Sequence, residues 1–137
     1  MRVHAFLATA DALPRLLEAG TAPPTSAELR GVDPVNLASL VAIVTAGSVG
    51  NEEAGAALEN PVLTTGARGP SIHLLPADAA DALGNSDAAQ RTRWVAEWSG
   101  GNGRPDDGPE KTVETLAQVA ASRGREQGLY LWVADGP

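Results

Sequence analysis

The chain has 137 residues, 43% hydrophobic and 20% charged, and 17 acidic against 10 basic residues give it a formal net charge of −7. This length and composition predict one globular domain over residues 1–137 and exclude an intrinsically disordered chain. The absence of cysteine excludes disulfides, thiol nucleophiles and thiolate metal sites, and the acidic balance argues against binding to nucleic acid or to an anionic membrane.

The N-terminal segment predicts a short buried strand followed by a helix. Residues 2–8 are apolar with weak alternation, and Thr9 or Asp11 can cap a helix that Gly20 ends. Pro14 is tolerated because it falls in the first turn of that helix. No signal peptide or membrane span is predicted, so we expect a soluble, cytoplasmic protein.

The clearest helix start lies at Asp33 and Pro34, because an N-cap carboxylate is followed by proline at the first helical position. Apolar residues at the helical period follow, and Gly47 is the predicted end. A third, short helix is expected from Asn51 to Leu58, with acidic residues near its positive end.

The middle of the chain predicts two short strands at 62–65 and 71–75, joined by a turn-rich link at 66–70. Pro76 then opens a short helix that ends at Gly84. The next helix is capped by Ser86 or Asp87, and its buried face carries Trp94, Val95 and Trp98. Residues 100–108 are rich in glycine and read as a loop.

Pro109 begins the last helix, which Gly124 or Gly128 ends, and the unbroken apolar run at 129–133 is the strongest strand signal in the chain. Such a run is typical of a central strand covered on both faces. We expect it to pair with the N-terminal strand. The predicted fold class is α+β, with a small sheet that includes the N-terminal and C-terminal strands and about five or six helices.

Three segments together show a resemblance to a known family. They are GVDPVNL at 31–37 leading into TAG at 45–47, IHLLP at 72–76, and GLYLWV at 128–133. Their order resembles the YfbM-like domains, small bacterial proteins of unknown function, and short actinobacterial relatives in particular. The resemblance implies an α+β fold and brings no catalytic residue with it.

The sequence predicts no catalytic residue, no cofactor and no metal site. The only lysine, Lys111, follows Glu110, so no phosphate-binding loop is present. His4 and His73 are the only histidines, and both lie on predicted strands. They are either satisfied strand histidines or neighbours across the sheet, with Asp78 or Asp135 completing a site.

A partner-binding surface is predicted from charges and aromatic side chains. Acidic residues are expected to cluster on one face, with Glu52, Glu53 and Glu59 in one helical region and Asp106, Asp107, Glu110 and Glu114 around the long loop and the helix after it. The last four are the candidate binding residues, and Glu110 and Glu114 repel each other at a spacing of four on one helix. Trp98 is either a core residue or an exposed anchor beside Arg91, the composition of an interface hot spot. Asp87 is also spaced to pair with Arg91.

These observations predict a non-catalytic protein-interaction module, an inhibitor or immunity-type partner of a basic protein. The alternative is an enzyme or small-molecule-binding domain with a cleft near His73 and the 100–109 loop. The sequence leaves the identity of the partner and the oligomeric state open.

Overall fold

The computed structural model describes residues 2–30, 32–45, 53, 55–56, 58, 60–64, 69–99 and 108–134. The statements about structure that follow concern these residues.

Five antiparallel strands form one sheet in the order β2-β1-β5-β4-β3. The strands are β1 (Arg2–Ala8), β2 (Ala27–Leu29), β3 (Leu63–Thr64), β4 (Ser71–Leu74) and β5 (Gly128–Ala134). The predicted pairing of the N-terminal and C-terminal strands is confirmed, since β1 and β5 are hydrogen-bonded neighbours along their whole length. The sequence did not predict β2, which adds to the outer edge of β1.

Five α-helices accompany the sheet, which confirms the α+β fold class. They are α1 (Leu13–Ala19), α2 (Pro34–Val44), α3 (Ala77–Gly84), α4 (Ala88–Ser99) and α5 (Pro109–Ala121), and a single 3₁₀ turn, Ala10–Ala12, precedes α1. The described residues of the helix predicted from Asn51 to Leu58 are also helical. No helix among the described residues is long and apolar enough to cross a membrane.

The helix starts differ in how well the sequence located them. Asp33 caps α2 as predicted: its carboxylate accepts from the Asn36 amide at 2.8 Å, and the Asn36 side chain accepts in return from the Asp33 amide. The prediction of a cap at Thr9 or Asp11 was wrong, because the 3₁₀ turn leads into α1 and no side chain caps either element. Gly20 ends α1 in a left-handed conformation, as predicted.

The larger core lies on one face of the sheet, under α2, α3, α4 and α5. Alternate residues of β5 enter it, namely Leu129, Leu131 and Val133. The helices supply the predicted apolar stripes, and Leu37, Leu40 and Val41 of α2 are all buried. This face therefore holds the helix layer that carries the candidate site.

The opposite face is covered by α1 and holds a smaller core. Tyr130 and Trp132 of β5 pack there with Leu13 and Leu17 of α1. The rings of Phe6 and Tyr130 are stacked with centroids 5.8 Å apart. The prediction that β5 is a central strand covered on both faces is confirmed.

Helices α3 and α5 approach closely at Gly84. A Cβ atom at this position would lie 3.0 Å from the carbonyl oxygen of Ala120, so a larger residue would require the two helices to move apart by a few tenths of an ångström. An ion pair between Asp81 of α3 and Arg123, just past α5, joins the same two helices. Helix α5 ends at Ala121, before the predicted Gly124 or Gly128, and the chain then turns toward β5.

Candidate functional site

Three of the six predicted partner-binding residues line one groove between α4 and α5. They are Arg91 on α4 and Glu110 and Glu114 on α5, and the groove has a volume of about 360 Å³. Its remaining lining residues all belong to α4 and are Ala88, Thr92 and Val95. We call this surface the α4–α5 groove.

Helix α4 fixes Arg91 through its own start. The Asp87 carboxylate accepts from the Gln90 amide at 2.8 Å, and the Gln90 side chain accepts from the Asp87 amide at 3.0 Å. Asp87 therefore caps the helix, as predicted, and its predicted ion pair with Arg91 does not form. The Arg91 guanidinium instead donates to the carbonyl of Ser86 at 2.8 Å and to its hydroxyl at 3.0 Å.

Helix α5 presents both glutamates to solvent. Gly108 precedes the helix with a φ of 88°, and Pro109 stands in its first turn. Glu110 also lies in that turn, where its negative charge interacts favourably with the positive end of the helix dipole. Glu110 and Glu114 are exposed, while Val113 on the other side of α5 is buried.

The two glutamates are available to a ligand. Within the described part of the chain, neither Glu110 nor Glu114 forms an ion pair. Arg91, the basic residue of the same groove, is held by Ser86. The groove thus carries two exposed carboxylates beside short α4 side chains, an arrangement that fits a Lys or Arg side chain.

The surface continues toward α3. A smaller adjoining cavity of about 190 Å³ shares Arg91 and Glu114 with the α4–α5 groove and reaches Gly84 at the end of α3. Gln118, one turn beyond Glu114, also lines it. The candidate surface therefore follows α5 for about two turns.

The other three predicted residues do not join this surface. Asp106 and Asp107 lie outside the described residues. Trp98 is only 2% exposed, and its indole N–H donates to the carbonyl of Asn36 in α2 at 3.1 Å. Trp94 and Trp132 are also buried, so all three tryptophans belong to the core, and the candidate surface leaves Trp98 out.

Arg93 and Glu97 lie on another side of α4. They line a groove of about 720 Å³ between α2, α3 and α4, to which Asp81 also contributes. Arg91 and Arg93 therefore belong to different grooves and do not combine into one basic patch.

His4 and His73 lie on opposite faces of the sheet, so they do not form the shared site that the sequence left open. His4 pairs with Trp132 across β1 and β5, whereas His73 pairs with Leu131 across β4 and β5. Adjacent residues of β5 point to opposite faces, and so do the histidines paired with them. His4 instead meets Glu28, with Nε2 and Oε2 3.5 Å apart. The described residues contain no cluster of three or more metal-ligating side chains.

His73 forms a buried pair with Ser71. The Ser71 hydroxyl and His73 Nε2 lie 2.8 Å apart, and His73 is 4% exposed. Burial lowers the pKa of His73 below its usual value of 6.5, and the backbone of Leu58 partly opposes this shift. Nδ1 is enclosed by the protein without a well-formed hydrogen bond to a described residue. A catalytic serine–histidine pair needs a group that orients the second ring nitrogen, and no described carboxylate does so.

The sequence indicates the charged residues of the α4–α5 groove but not its other side chains. Val95 is predicted on the buried face of its helix, and Thr92 carries no signal that assigns it to a groove. Ser86, which lies outside the groove and accepts from Arg91, is predicted only as a helix cap. Helical spacing alone places Thr92 beside Ala88 and Val95, which is the one clue the sequence offers.

Comparison of the chain with known protein families, curated proteins and solved structures finds no match. The resemblance to the YfbM-like domains therefore stays a prediction.

Proposed function

We propose that this chain is a non-catalytic protein-interaction module that binds a basic protein, as an inhibitor or immunity-type partner does. The observation that carries the proposal is the α4–α5 groove, where Glu110 and Glu114 lie exposed beside Arg91. Arg91 Nη1 donates to Ser86, and neither glutamate forms an ion pair with a described residue, so the two carboxylates are open to a cation from the partner.

A basic side chain fits this groove for two reasons. Glu110 and Glu114 lie one turn apart on α5 and repel each other, so a cation between them relieves that repulsion. Thr92 and Val95 form the α4 wall, against which the methylene stem of a Lys or Arg side chain can pack. The groove offers a contact to the stem as well as to the charge.

The charge of the whole chain supports the same class of partner. A net charge of −7 attracts a basic protein over several ångströms and accelerates its encounter. This contribution weakens as salt shortens the screening length. We place the complex in the cytoplasm, an expectation that rests on the sequence alone.

The alternative is an enzyme or small-molecule-binding domain with a cleft near His73 and the 100–109 loop, of which residues 100–107 lie outside the described residues. It has one observation in its favour, the hydrogen bond between Ser71 and His73. A substrate would have to reach an imidazole that is 4% exposed. We favour the protein-binding proposal because its charged groups are at the surface.

Site-specific photo-crosslinking in the native host tests the proposal. A benzophenone amino acid replaces Thr92, which is exposed on the groove wall. We expect a light-dependent adduct with a protein of basic isoelectric point, identified by mass spectrometry. The same amino acid at Thr25, an exposed position outside the groove, is the control for random capture.

Two charge variants complete this experiment. Glu110→Lys/Glu114→Lys should remove the Thr92 adduct, whereas Glu18→Lys/Glu126→Lys changes the net charge equally and should preserve it. An adduct that survives the first variant, or that forms equally at Thr25, contradicts the assignment of the groove.

A further inference from the structure

A second groove is lined by the two most exposed large hydrophobic residues of the described chain. Val62 is 46% exposed and Leu74 is 37% exposed. Both line a concave surface of about 420 Å³, to which Pro76 also contributes. Single exposed apolar side chains are ordinary, but two that share one groove form an apolar floor that water covers poorly. We call this surface the Val62–Leu74 groove.

The backbone on both sides of the floor is held in place. The Val62 amide donates to the carbonyl of Ile72 in β4 at 2.8 Å, which fixes the start of the β3 edge. Leu74 is the last residue of β4 and pairs with Tyr130 of β5, and the Leu75 amide donates to the Leu129 carbonyl at 2.9 Å. The floor is therefore preformed, so binding to it requires little rearrangement.

The rim of this groove is acidic. Glu53 and Asp78 line it, and both are exposed. Within the described part of the chain, neither residue forms an ion pair. An apolar floor between two carboxylates complements an apolar side chain that has basic residues on either side.

We propose that the Val62–Leu74 groove is a second docking site, which binds an extended basic segment of a protein partner. One apolar side chain of the segment packs on Val62 and Leu74, and flanking Lys or Arg residues meet Glu53 and Asp78. The inference rests on the proposed function for the basic character of the partner. The surface is separate, because it shares no lining residue with the α4–α5 groove.

A fluorescein-labelled peptide that alternates lysine and leucine is the probe, because its leucines share one side when it is extended. Fluorescence anisotropy measures its dissociation constant. Val62→Ser/Leu74→Ser should raise that constant about tenfold or more through the loss of apolar burial. Peptides that alternate lysine with serine, or glutamate with leucine, should bind the wild-type chain as weakly as the lysine–leucine peptide binds this variant. Circular dichroism checks that the variant keeps its fold.

Three charge variants of equal net charge locate the binding site. Glu53→Lys/Asp78→Lys should also raise the dissociation constant about tenfold, since two attractive charges become repulsive. Glu18→Lys/Glu126→Lys lies on other surfaces and should change the dissociation constant by less than about threefold, because it alters only the long-range electrostatic attraction that salt screens.

The third variant separates this inference from the proposed function. If only Glu110→Lys/Glu114→Lys weakens binding of the peptide, the Val62–Leu74 inference fails while the α4–α5 proposal stands. The inference also fails if the peptide does not bind the wild-type chain. It fails equally if sedimentation shows self-association that Val62→Ser/Leu74→Ser abolishes, because the groove then binds a second copy.

Discussion

Replacing Trp98 by alanine removes the side chain that joins α4 to α2. The ring is 2% exposed within the larger core, and its N–H donates to the Asn36 carbonyl at 3.1 Å. The substitution leaves a cavity between two helices and breaks a hydrogen bond between elements distant in sequence. We expect a large loss of stability.

The size of this loss follows from the buried area. A buried tryptophan removes about 150–250 Å² from water, which at roughly 25 cal/mol per Å² corresponds to about 4–6 kcal/mol. Alanine keeps part of this burial and the unfolded chain is already partly compact, so we expect about 3–5 kcal/mol. Trp98→Phe retains most of the ring volume and loses the donor to Asn36, so its expected cost is about 1–2 kcal/mol.

Urea denaturation followed by circular dichroism measures both variants against the wild-type chain. Domains of this kind have a free energy of unfolding of about 5–15 kcal/mol, so the phenylalanine variant remains folded for comparison. A loss below about 1 kcal/mol for Trp98→Ala would refute the core placement and return this residue to the candidates for partner binding.

Three further predictions use the same denaturation assay. Asp33→Ala should cost about 1 kcal/mol because it breaks the reciprocal cap with Asn36, and a loss no larger than that of Asp11→Ala would contradict this reason. Gly20→Ala should cost about 1 kcal/mol because the φ of 75° strains any residue with a Cβ atom, and an unchanged midpoint would show that α1 ends differently. The pKa of His73 is lowered in the folded state, so the unfolded chain takes up its proton first and stability should fall as the pH drops below about 6.5. His73→Gln should lessen this pH dependence, and an identical dependence in the variant would exclude His73 as its source.

The sequence predicted the elements whose signals are local and strong. The β5 strand is apolar throughout and occupies the centre of the sheet, where both faces are buried. Asp33 and Asp87 each stand before a helix with a side chain three residues later that completes the cap. Such signals depend on a few neighbouring residues, so they can be recognised without the rest of the fold.

The errors concern features that depend on tertiary contacts. The β2 strand, with the sequence AEL, has poor strand propensity, and its pairing with β1 supplies what the sequence lacks. The sequence predicts Gly84 only as a helix end, whereas it also permits the close approach of α3 to Ala120. The faces of His4 and His73 follow from the register of three strands, which no local pattern reveals.

The charged residues of the candidate site could be predicted from the sequence, but the way they combine into one surface could not. The spacing of Glu110 and Glu114 places them on the same side of α5, but the packing of α4 against α5 decides that Arg91 joins them. The spacing of Asp87 and Arg91 predicted an ion pair. In the structure the Asp87 carboxylate instead caps α4 by accepting from the Gln90 amide, and Arg91 donates to Ser86. The Val62–Leu74 groove depends on where β3, β4 and α3 meet, so among its residues the sequence indicates only Glu53, as part of an acidic face.

The most direct test of the central claim is a nuclear magnetic resonance titration of the isotope-labelled chain with a short oligolysine peptide. The α4–α5 proposal predicts that the largest amide shift changes fall on residues 88–95 and 110–118, and that they weaken as salt is added. Glu18 and Glu126, exposed acidic residues elsewhere, serve as internal controls in the same spectra. Shift changes of equal size around those two residues, or none on α4 and α5, would contradict the claim that this groove binds a basic partner.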